Sequence, residues 1–186
     1  MSNQVIIHVA FLRGINVGGK KLIKMEDLRR VFESLRFKNV RTFIASGNVI
    51  FDSPELDRKG LTKKIERAIF KAFSHEVPVV LLRVDELQEI VRRNPFKRIK
   101  PSTDVMMFVA FLVEGVKGET KLPLRSTTEN LEVLAITDRA AFSLCHRKKN
   151  GMFAFPNNFF EKGFGVVATT RNWTTVNKVA VFAETF

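Results

Sequence analysis

The chain has 186 residues, of which 45% are hydrophobic and 27% are charged, and this composition excludes global disorder and allows one large domain or two small ones. No uncharged apolar run approaches the roughly 20 residues that a membrane-spanning helix requires, and the N-terminus lacks the signals of a secretory leader. Because Cys145 is the single cysteine, an internal disulfide is excluded, and we expect a cytoplasmic protein that does not bind membranes.

The charge is strongly positive and unevenly distributed. The net charge is +12 and the isoelectric point is near 10.2. Residues 1–100 hold 21 Lys and Arg against 11 Asp and Glu, whereas residues 101–186 hold 10 against 8. A basic first half favours anionic partners such as nucleic acid, nucleotides or an acidic protein. A well-solvated surface explains the same charge, so both interpretations stay open.

The first segments predict a strand, a loop and a helix. Residues 5–13 form an apolar run rich in β-branched side chains, typical of a strand buried on both faces. Residues 14–20 form a loop that contains three glycines. From Met25 to Arg36, apolar residues recur at helical spacing, with Glu26 and Asp27 in the first turn, where they suit the helix dipole.

The following segments predict a hairpin, a second helix and a further strand. Residues 40–45 and 49–51 are short strands joined through Ser46, Gly47 and Asn48, and glycine and asparagine tolerate the positive φ of such a turn. Apolar residues at helical spacing define a helix that ends near Phe73, and residues 77–84 are the next strand. The opposite face of this helix is basic and carries Lys63, Lys64, Arg67 and Lys71. The order β-α-β-β-α-β predicts a ferredoxin-like unit within residues 1–95.

The second half predicts a smaller α+β part over residues 104–186, packed against the first. Asp85 is a candidate N-cap for a short helix through Arg93, and residues 96–103 are the candidate linker. A buried strand over residues 105–113 precedes a hairpin and two C-terminal helices, of which the last starts near Asn172. The whole chain is therefore predicted to be α+β.

A short repeat links the two halves. The letters VAFL occur at residues 9–12 and again at residues 109–112, and glycine follows shortly in both copies. Duplication would explain the repeat, but a four-residue match between buried strands also arises by chance. We therefore predict no duplication from it.

The glycine loop is the first candidate site. Gly14, Gly19 and Lys20 fit the spacing of a phosphate-binding P-loop, but Lys21 stands where a Mg²⁺-binding hydroxyl is required. The helix also begins about five residues too late to direct its N-terminus at a phosphate. An ATPase is therefore excluded. The remaining interpretations are a loop whose amides and cations meet an anion, and a loop that only shapes the turn.

Topology predicts that this loop meets the hairpin turn. In a β-α-β-β-α-β unit, the end of the first strand and the turn between the second and third strands lie at one end of the sheet. We therefore predict a polar-ligand or anion site built from two converging turns. The residues of this site in the first half of the chain would be Arg13, Asn16, Gly18, Gly19, Lys20, Ser46, Gly47 and Asn48.

A third segment precedes the last helix. Arg171 suits bidentate binding of a carboxylate or phosphate, and either Thr170 or Asn172 suits a helix N-cap that leaves amides for an anion. A purely structural cap explains the same residues. The three histidines share no metal-ligand spacing, and no nucleophile–base pair or carboxylate pair is present, so we expect no metal site and no cofactor.

Three motifs carry a family resemblance. RGINVGGK at residues 13–20, RTFIASGNVIF at residues 41–51 and ATTRNWTTV at residues 168–176 resemble those of the bacterial family called domain of unknown function 1697. The resemblance implies an α+β fold with a ferredoxin-like first part, and it implies no activity. This chain departs from the family pattern at Arg36, where glycine is usual, at Phe43 in place of tyrosine, and at Ala45 in place of glutamine.

Three functions remain open from the sequence. The first is binding, or turnover, of an anionic or phosphorylated small molecule at the two turns. The second is an RNA- or DNA-binding module that uses the basic first half. The third is a protein-interaction module without catalysis. No residue offers a clear general base or nucleophile, so an enzymatic role is left undecided.

Overall fold

The computed structural model describes residues 5–185 of the chain. Residues 1–4 and 186 lie outside this range. They belong to the ends of the two predicted domains, and residues 1–4 also belong to the N-terminal segment that lacks leader signals. The fold is α+β, with two antiparallel sheets. The chain forms two compact units: unit 1 comprises Met1–Glu89 with Lys178–Phe186, and unit 2 comprises Ile90–Asn177. No helix within the described range is long and apolar enough to cross a bilayer.

Unit 1 contains a four-stranded sheet in the order β2-β3-β1-β4. Its elements follow the chain as β1 Ile6–Leu12, α1 Met25–Ser34, β2 Lys38–Phe43, β3 Asn48–Ser53, α2 Arg58–Phe73 and β4 Val79–Arg83. Each neighbouring pair of strands is antiparallel, and β3 lies between β1 and β2 as the sequence predicts.

The core of unit 1 lies between this sheet and its two helices. Alternate residues of β1, Ala10 and Leu12, share a buried cluster with Phe32 of α1 and with Leu61 and Ile65 of α2. The helical spacing of the apolar residues thus gives each helix one buried face. The sheet and helices hold both ends of the glycine loop in a fixed frame.

The third helix, α3 Val84–Arg93, begins two residues earlier than an N-cap at Asp85 predicts. Asp85 lies in its first turn, so the prediction that Asp85 is the N-cap is wrong. The carboxylate of Glu86 instead accepts a hydrogen bond from the backbone N–H of Arg83 at 2.8 Å, in the manner of a capping box.

Unit 2 contains a five-stranded sheet in the order β6-β7-β8-β5-β9. Its elements are β5 Val105–Leu112, β6 Leu124–Ser126, β7 Leu131–Ile136, β8 Ala140–His146, α4 Pro156–Phe164, β9 Ala168–Asn172 and the start of α5 Trp173–Ala183. The segment that contains Arg171, interpreted from the sequence as a loop, is the strand β9. Phe96, placed in the candidate linker, is 3% exposed and packs edge-on against Phe142 and Trp173.

The central strands of the two units occupy equivalent positions. β1 is flanked by β3 and β4, and β5 is flanked by β8 and β9, with antiparallel pairing throughout. The amides at the end of each central strand donate in the same pattern, from Leu12 to Gly47 O, Arg13 to Pro78 O, Leu112 to Arg139 O and Val113 to Val167 O. The two VAFL segments therefore occupy the same place in two similar sheets.

Candidate functional site

Asn16 fastens the glycine loop to the hairpin turn. Its Nδ2 donates to the carbonyl of Ile23 at 2.9 Å and to the carbonyl of Ala45 at 2.8 Å, while its Oδ1 accepts from the amide of Ile23 at 2.8 Å. Asn16 has a φ of 55°, which asparagine adopts more readily than most residues. The predicted proximity of the loop and the turn is confirmed. The side-chain amide of Asn16 makes this connection.

The turn itself is closely packed. Gly47 has a φ of 75°, and a Cβ there would lie 2.8 Å from the Cβ of Leu12 and 2.8 Å from the Cδ1 of Ile15. Asn48 is 0% exposed, and its Nδ2 donates to the carbonyl of Phe43 at 2.9 Å and to the Oγ of Ser46 at 3.0 Å. Gly47 and Asn48 therefore shape the turn from inside the fold.

The exposed part of the loop is a small hairpin over residues 16–21, called the glycine hairpin below. The amide of Asn16 donates to the carbonyl of Lys21 at 3.2 Å, and that of Lys20 donates to the carbonyl of Val17 at 3.1 Å. Gly18 and Gly19, at the tip, have φ values of 58° and 72° and are exposed. Such consecutive positive φ values are typical of a type I′ turn.

The tip of the glycine hairpin has unused amides. Among residues 5–185, no acceptor is hydrogen-bonded to the N–H of Gly18 or Gly19. A Cβ built on either glycine would meet no atom within 4 Å, so the space around them is open. Lys20 follows directly and is exposed. Arg13 and Ser46 lie at the base of the two turns and are half-buried.

The helix after the loop does not take part in an anion site at the tip. α1 begins at Met25, after an N-cap at Lys24 that makes no side-chain capping bond. Glu26 and Asp27 occupy its first turn. These carboxylates counter the positive end of the helix dipole, so an anion at the tip would be bound by turn amides and lysine rather than by the helix.

A groove of about 570 Å³ adjoins the loop end of unit 1. It is lined by Glu66, Arg67, Phe70, Glu76, Val77 and Pro78. The ammonium of Lys21 donates to the carbonyl of Glu76, and the amide of Arg13 donates to the carbonyl of Pro78, so the glycine loop is hydrogen-bonded to one wall. Its volume lies within the range of small-molecule pockets.

Phe70 in this groove was missed by the sequence interpretation. Its side chain is 52% exposed, whereas Leu61, Ile65 and Ile69 of the same helix are buried. The signal was present in the sequence, because a phenylalanine at position 70 falls on the basic face of the helical wheel.

The predicted residues before the last helix lie in unit 2. Arg171 is 8% exposed and donates to the Oγ1 of Thr169 at 3.1 Å and to the carbonyl of Thr170 at 2.9 Å. Burial lowers the pKa of its guanidinium to about 10, which leaves it charged at neutral pH. The Oδ1 of Asn172 accepts from the amide of Thr175 at 2.7 Å, so the predicted capping role of Asn172 is confirmed.

A buried histidine lies among charged residues of unit 1. His8 is 5% exposed, stacks on Phe51 with ring centroids 5.4 Å apart, and is hydrogen-bonded to the backbone of Ser53. Its Nε2 has no partner within residues 5–185. Burial, reinforced by the positive charge of Arg58, lowers the pKa of His8.

Arg58 is paired with a carboxylate of α3. Its Nη2 lies 2.7 Å from the Oε1 of Glu86. Burial acts to raise the pKa of Glu86, but hydrogen bonds from Arg58 and from the Arg83 amide, with their charges, bring it below its usual value.

Other reactive groups form no site. Burial raises the pKa of the Cys145 thiol to about 12, so this thiol is not an activated nucleophile. Within the described range, no group of three or more His, Cys, Asp or Glu side chains is placed to hold a metal ion.

Comparison with known proteins gives a family and a structural relative. The fold resembles that of the conserved bacterial protein SP0830 from Streptococcus pneumoniae, with a TM-score of 0.66 and 19% sequence identity over 97% of this chain and 99% of that one. At this identity the likeness concerns the fold alone. No curated protein gives a significant match. The model of the family described as protein of unknown function (DUF1697) matches residues 6–142. The chain therefore belongs to the DUF1697 family.

Proposed function

We propose that unit 1 binds an anionic small molecule, and that it does so through a phosphate or similar group at the glycine hairpin. The observation that carries this proposal is the exposed tip, where the amides of Gly18 and Gly19 have no acceptor among residues 5–185 and Lys20 is adjacent. Successive backbone amides in a turn, together with a lysine ammonium, form a recurrent anion-binding arrangement.

The support beneath the tip favours binding over a purely structural loop. The three hydrogen bonds of Asn16 fix the base of the hairpin to Ile23, which precedes α1, and to Ala45 beside the neighbouring turn. A turn that is held in place before the ligand arrives loses less conformational freedom on binding. Arg13 and Ser46 at the base would complete the charge and hydrogen bonding of the site.

The proposal includes a ferredoxin-like fold for unit 1, because that fold determines where the site lies. The strand order β2-β3-β1-β4, with a helix after the first and third strands, supports a ferredoxin-like unit. In this arrangement the end of β1 and the turn between β2 and β3 share one edge of the sheet. The proposed site occupies that edge.

A thermal-shift screen over inorganic phosphate, pyrophosphate, nucleotides and phosphorylated metabolites tests the proposal. We expect at least one phosphate-bearing compound to raise the melting temperature, because a ligand that binds only the folded state stabilises it. Lys20→Ala should weaken its affinity about tenfold, which corresponds to about 1.4 kcal/mol.

Lys38→Ala is the matched control. Lys38 is exposed and is the first residue of β2, at the end of that strand remote from the turn. Its substitution removes one positive charge from unit 1, as Lys20→Ala does, but leaves the hairpin unchanged. An equal loss of affinity in both variants would reduce the effect to net charge and would contradict a site at the hairpin. So would a flat response to every compound.

A further inference from the structure

The exposed face of α2 combines a cationic stripe with a solvent-exposed aromatic ring. Leu61, Ile65 and Ile69 define the buried face of this helix. The opposite, exposed face carries cations four residues apart, at Lys59, Lys63, Arg67 and Lys71. None of these four makes an ion pair with any residue that the structure describes. The stripe therefore has uncompensated charge available to an anionic partner.

The spacing of the stripe suits a chain of phosphates. Residues four apart on a helix are separated by roughly 6 Å along the axis and lie on nearly the same face. Four cations at this interval form a row along one side of the helix. A flexible polyanion whose charges recur at a similar interval can meet them one after another, whereas a single small anion would meet one or two.

Phe70 gives the surface a second property, a stacking platform. It lies on the same face as Arg67 and lines the groove of about 570 Å³ with Val77 and Pro78. Its side chain is 52% exposed, so a face of the ring is open to solvent and can stack on a base. Row-like phosphate contacts combined with aromatic stacking are the arrangement by which proteins bind single-stranded nucleic acid.

The groove also carries hydrogen-bond acceptors. Glu66 and Glu76 line it, and Glu66 uses its Oε1 to accept from the amide of Val79 at 2.9 Å. Carboxylates disfavour a phosphate inside the groove, but they accept hydrogen bonds from the exocyclic amino groups of bases. In a bound nucleic acid, a base would therefore lie in the groove and the phosphates would lie along the stripe.

We propose that the exposed face of α2 is a docking surface for single-stranded nucleic acid, with one base on Phe70 and the backbone along Lys59, Lys63, Arg67 and Lys71. The surface shares no residue with the tip of the glycine hairpin, and it does not depend on the small-molecule proposal. Because the acceptors are carboxylates, amino-bearing bases are favoured over thymine and uracil.

Fluorescence anisotropy with short labelled single strands of dC and of dT tests the surface, with the full chain titrated at several salt concentrations. We expect dC to bind more tightly than dT, with affinity that falls steeply as salt rises. Lys63→Ala/Arg67→Ala should reduce the slope of log K against log salt by about 1.4, which is about 0.7 for each lost phosphate contact. Phe70→Ala should weaken binding roughly tenfold with little change in slope.

The double variant Lys97→Ala/Arg98→Ala is the matched control, since it removes one lysine and one arginine from exposed positions of unit 2. It should change neither the slope nor the affinity by more than a small factor. Absence of binding at low salt would overturn the proposal, as would equal effects in the two double variants. Inorganic polyphosphate that binds as tightly as dC, with no loss in Phe70→Ala, would also overturn it, because the surface would then recognise charge alone.

Discussion

At the scale of single residues, the loop end of unit 1 depends on polar and glycine residues that cluster in its two turns. The structure uses Asn16 and Asn48 for internal hydrogen bonds and packs Gly47 against Leu12. Composition identifies such a cluster, but it does not distinguish the residues that build a turn from those that face a ligand.

Gly47→Ala should destabilise unit 1 strongly. The added Cβ meets Leu12 Cβ at 2.8 Å, and the residue has a φ of 75°, so packing strain and backbone strain add. We expect the free energy of unfolding to fall by roughly 2–4 kcal/mol, as measured by urea denaturation. Gly14→Ala is the control, because Gly14 has a φ of 68° but open space around it. Equal losses in the two variants would show that close packing at Gly47 is unimportant.

His8 should make stability depend on pH. Its pKa in the folded state is lowered from 6.5, so the unfolded chain binds a proton more readily as the pH falls below that value. Stability is therefore complete above about pH 6.5 and decreases from there towards the folded pKa. Urea denaturation of the wild type should show this decline, and His8→Gln should flatten it. If the pH dependence of stability is unchanged in His8→Gln, groups other than His8 cause the decline.

At the scale of secondary structure, the elements of unit 1 could be predicted because their patterns are strong. α1 and α2 have apolar residues at helical spacing, and β1 is apolar except for His8. β9 was not predicted, since Thr169, Thr170 and Arg171 carry no apolar alternation. The hydroxyl of Thr170 donates to the Oδ1 of Asn157 at 2.6 Å, and such a tertiary contact cannot be read from the periodicity of the sequence.

The backbone is strained just after the end of α1. Arg36 follows the C-cap Leu35 and has a φ of 65°, a conformation that favours glycine. Arg36→Gly should raise the free energy of unfolding by about 1 kcal/mol in urea denaturation. Arg29→Gly, inside α1, should lower it by a similar amount, and a stabilising effect there would contradict the account.

At the scale of the whole molecule, topology was the most informative prediction. The order of helices and strands places the exit of β1 beside the turn between β2 and β3, and the bond from Asn16 to Ala45 confirms that proximity. The same logic extends to unit 2, where the exit of β5 is bonded to the turn at Arg139. The two VAFL segments thus lie at equivalent positions of the two sheets, although residues 113–130, which follow β5, form no helix.

The groove beside α2 could not be predicted from topology alone. It depends on the packing of Pro78 and Val77 against the end of α2, which places Phe70 at an open edge. The sequence did provide the basic face of that helix. Because Phe70 falls on the same face of the helical wheel, the sequence also contains the signal of a mixed aromatic and cationic surface.

The proposed site depends on amides at the tip of the glycine hairpin that donate hydrogen bonds to an anion. A titration of ¹⁵N-labelled protein with pyrophosphate, followed by amide chemical shifts, tests this most directly. We expect saturable shifts that are largest at Gly18, Gly19 and Lys20 and are lost in Lys20→Ala. Shifts spread evenly over the basic surface, or an unchanged spectrum at these three amides, would contradict it.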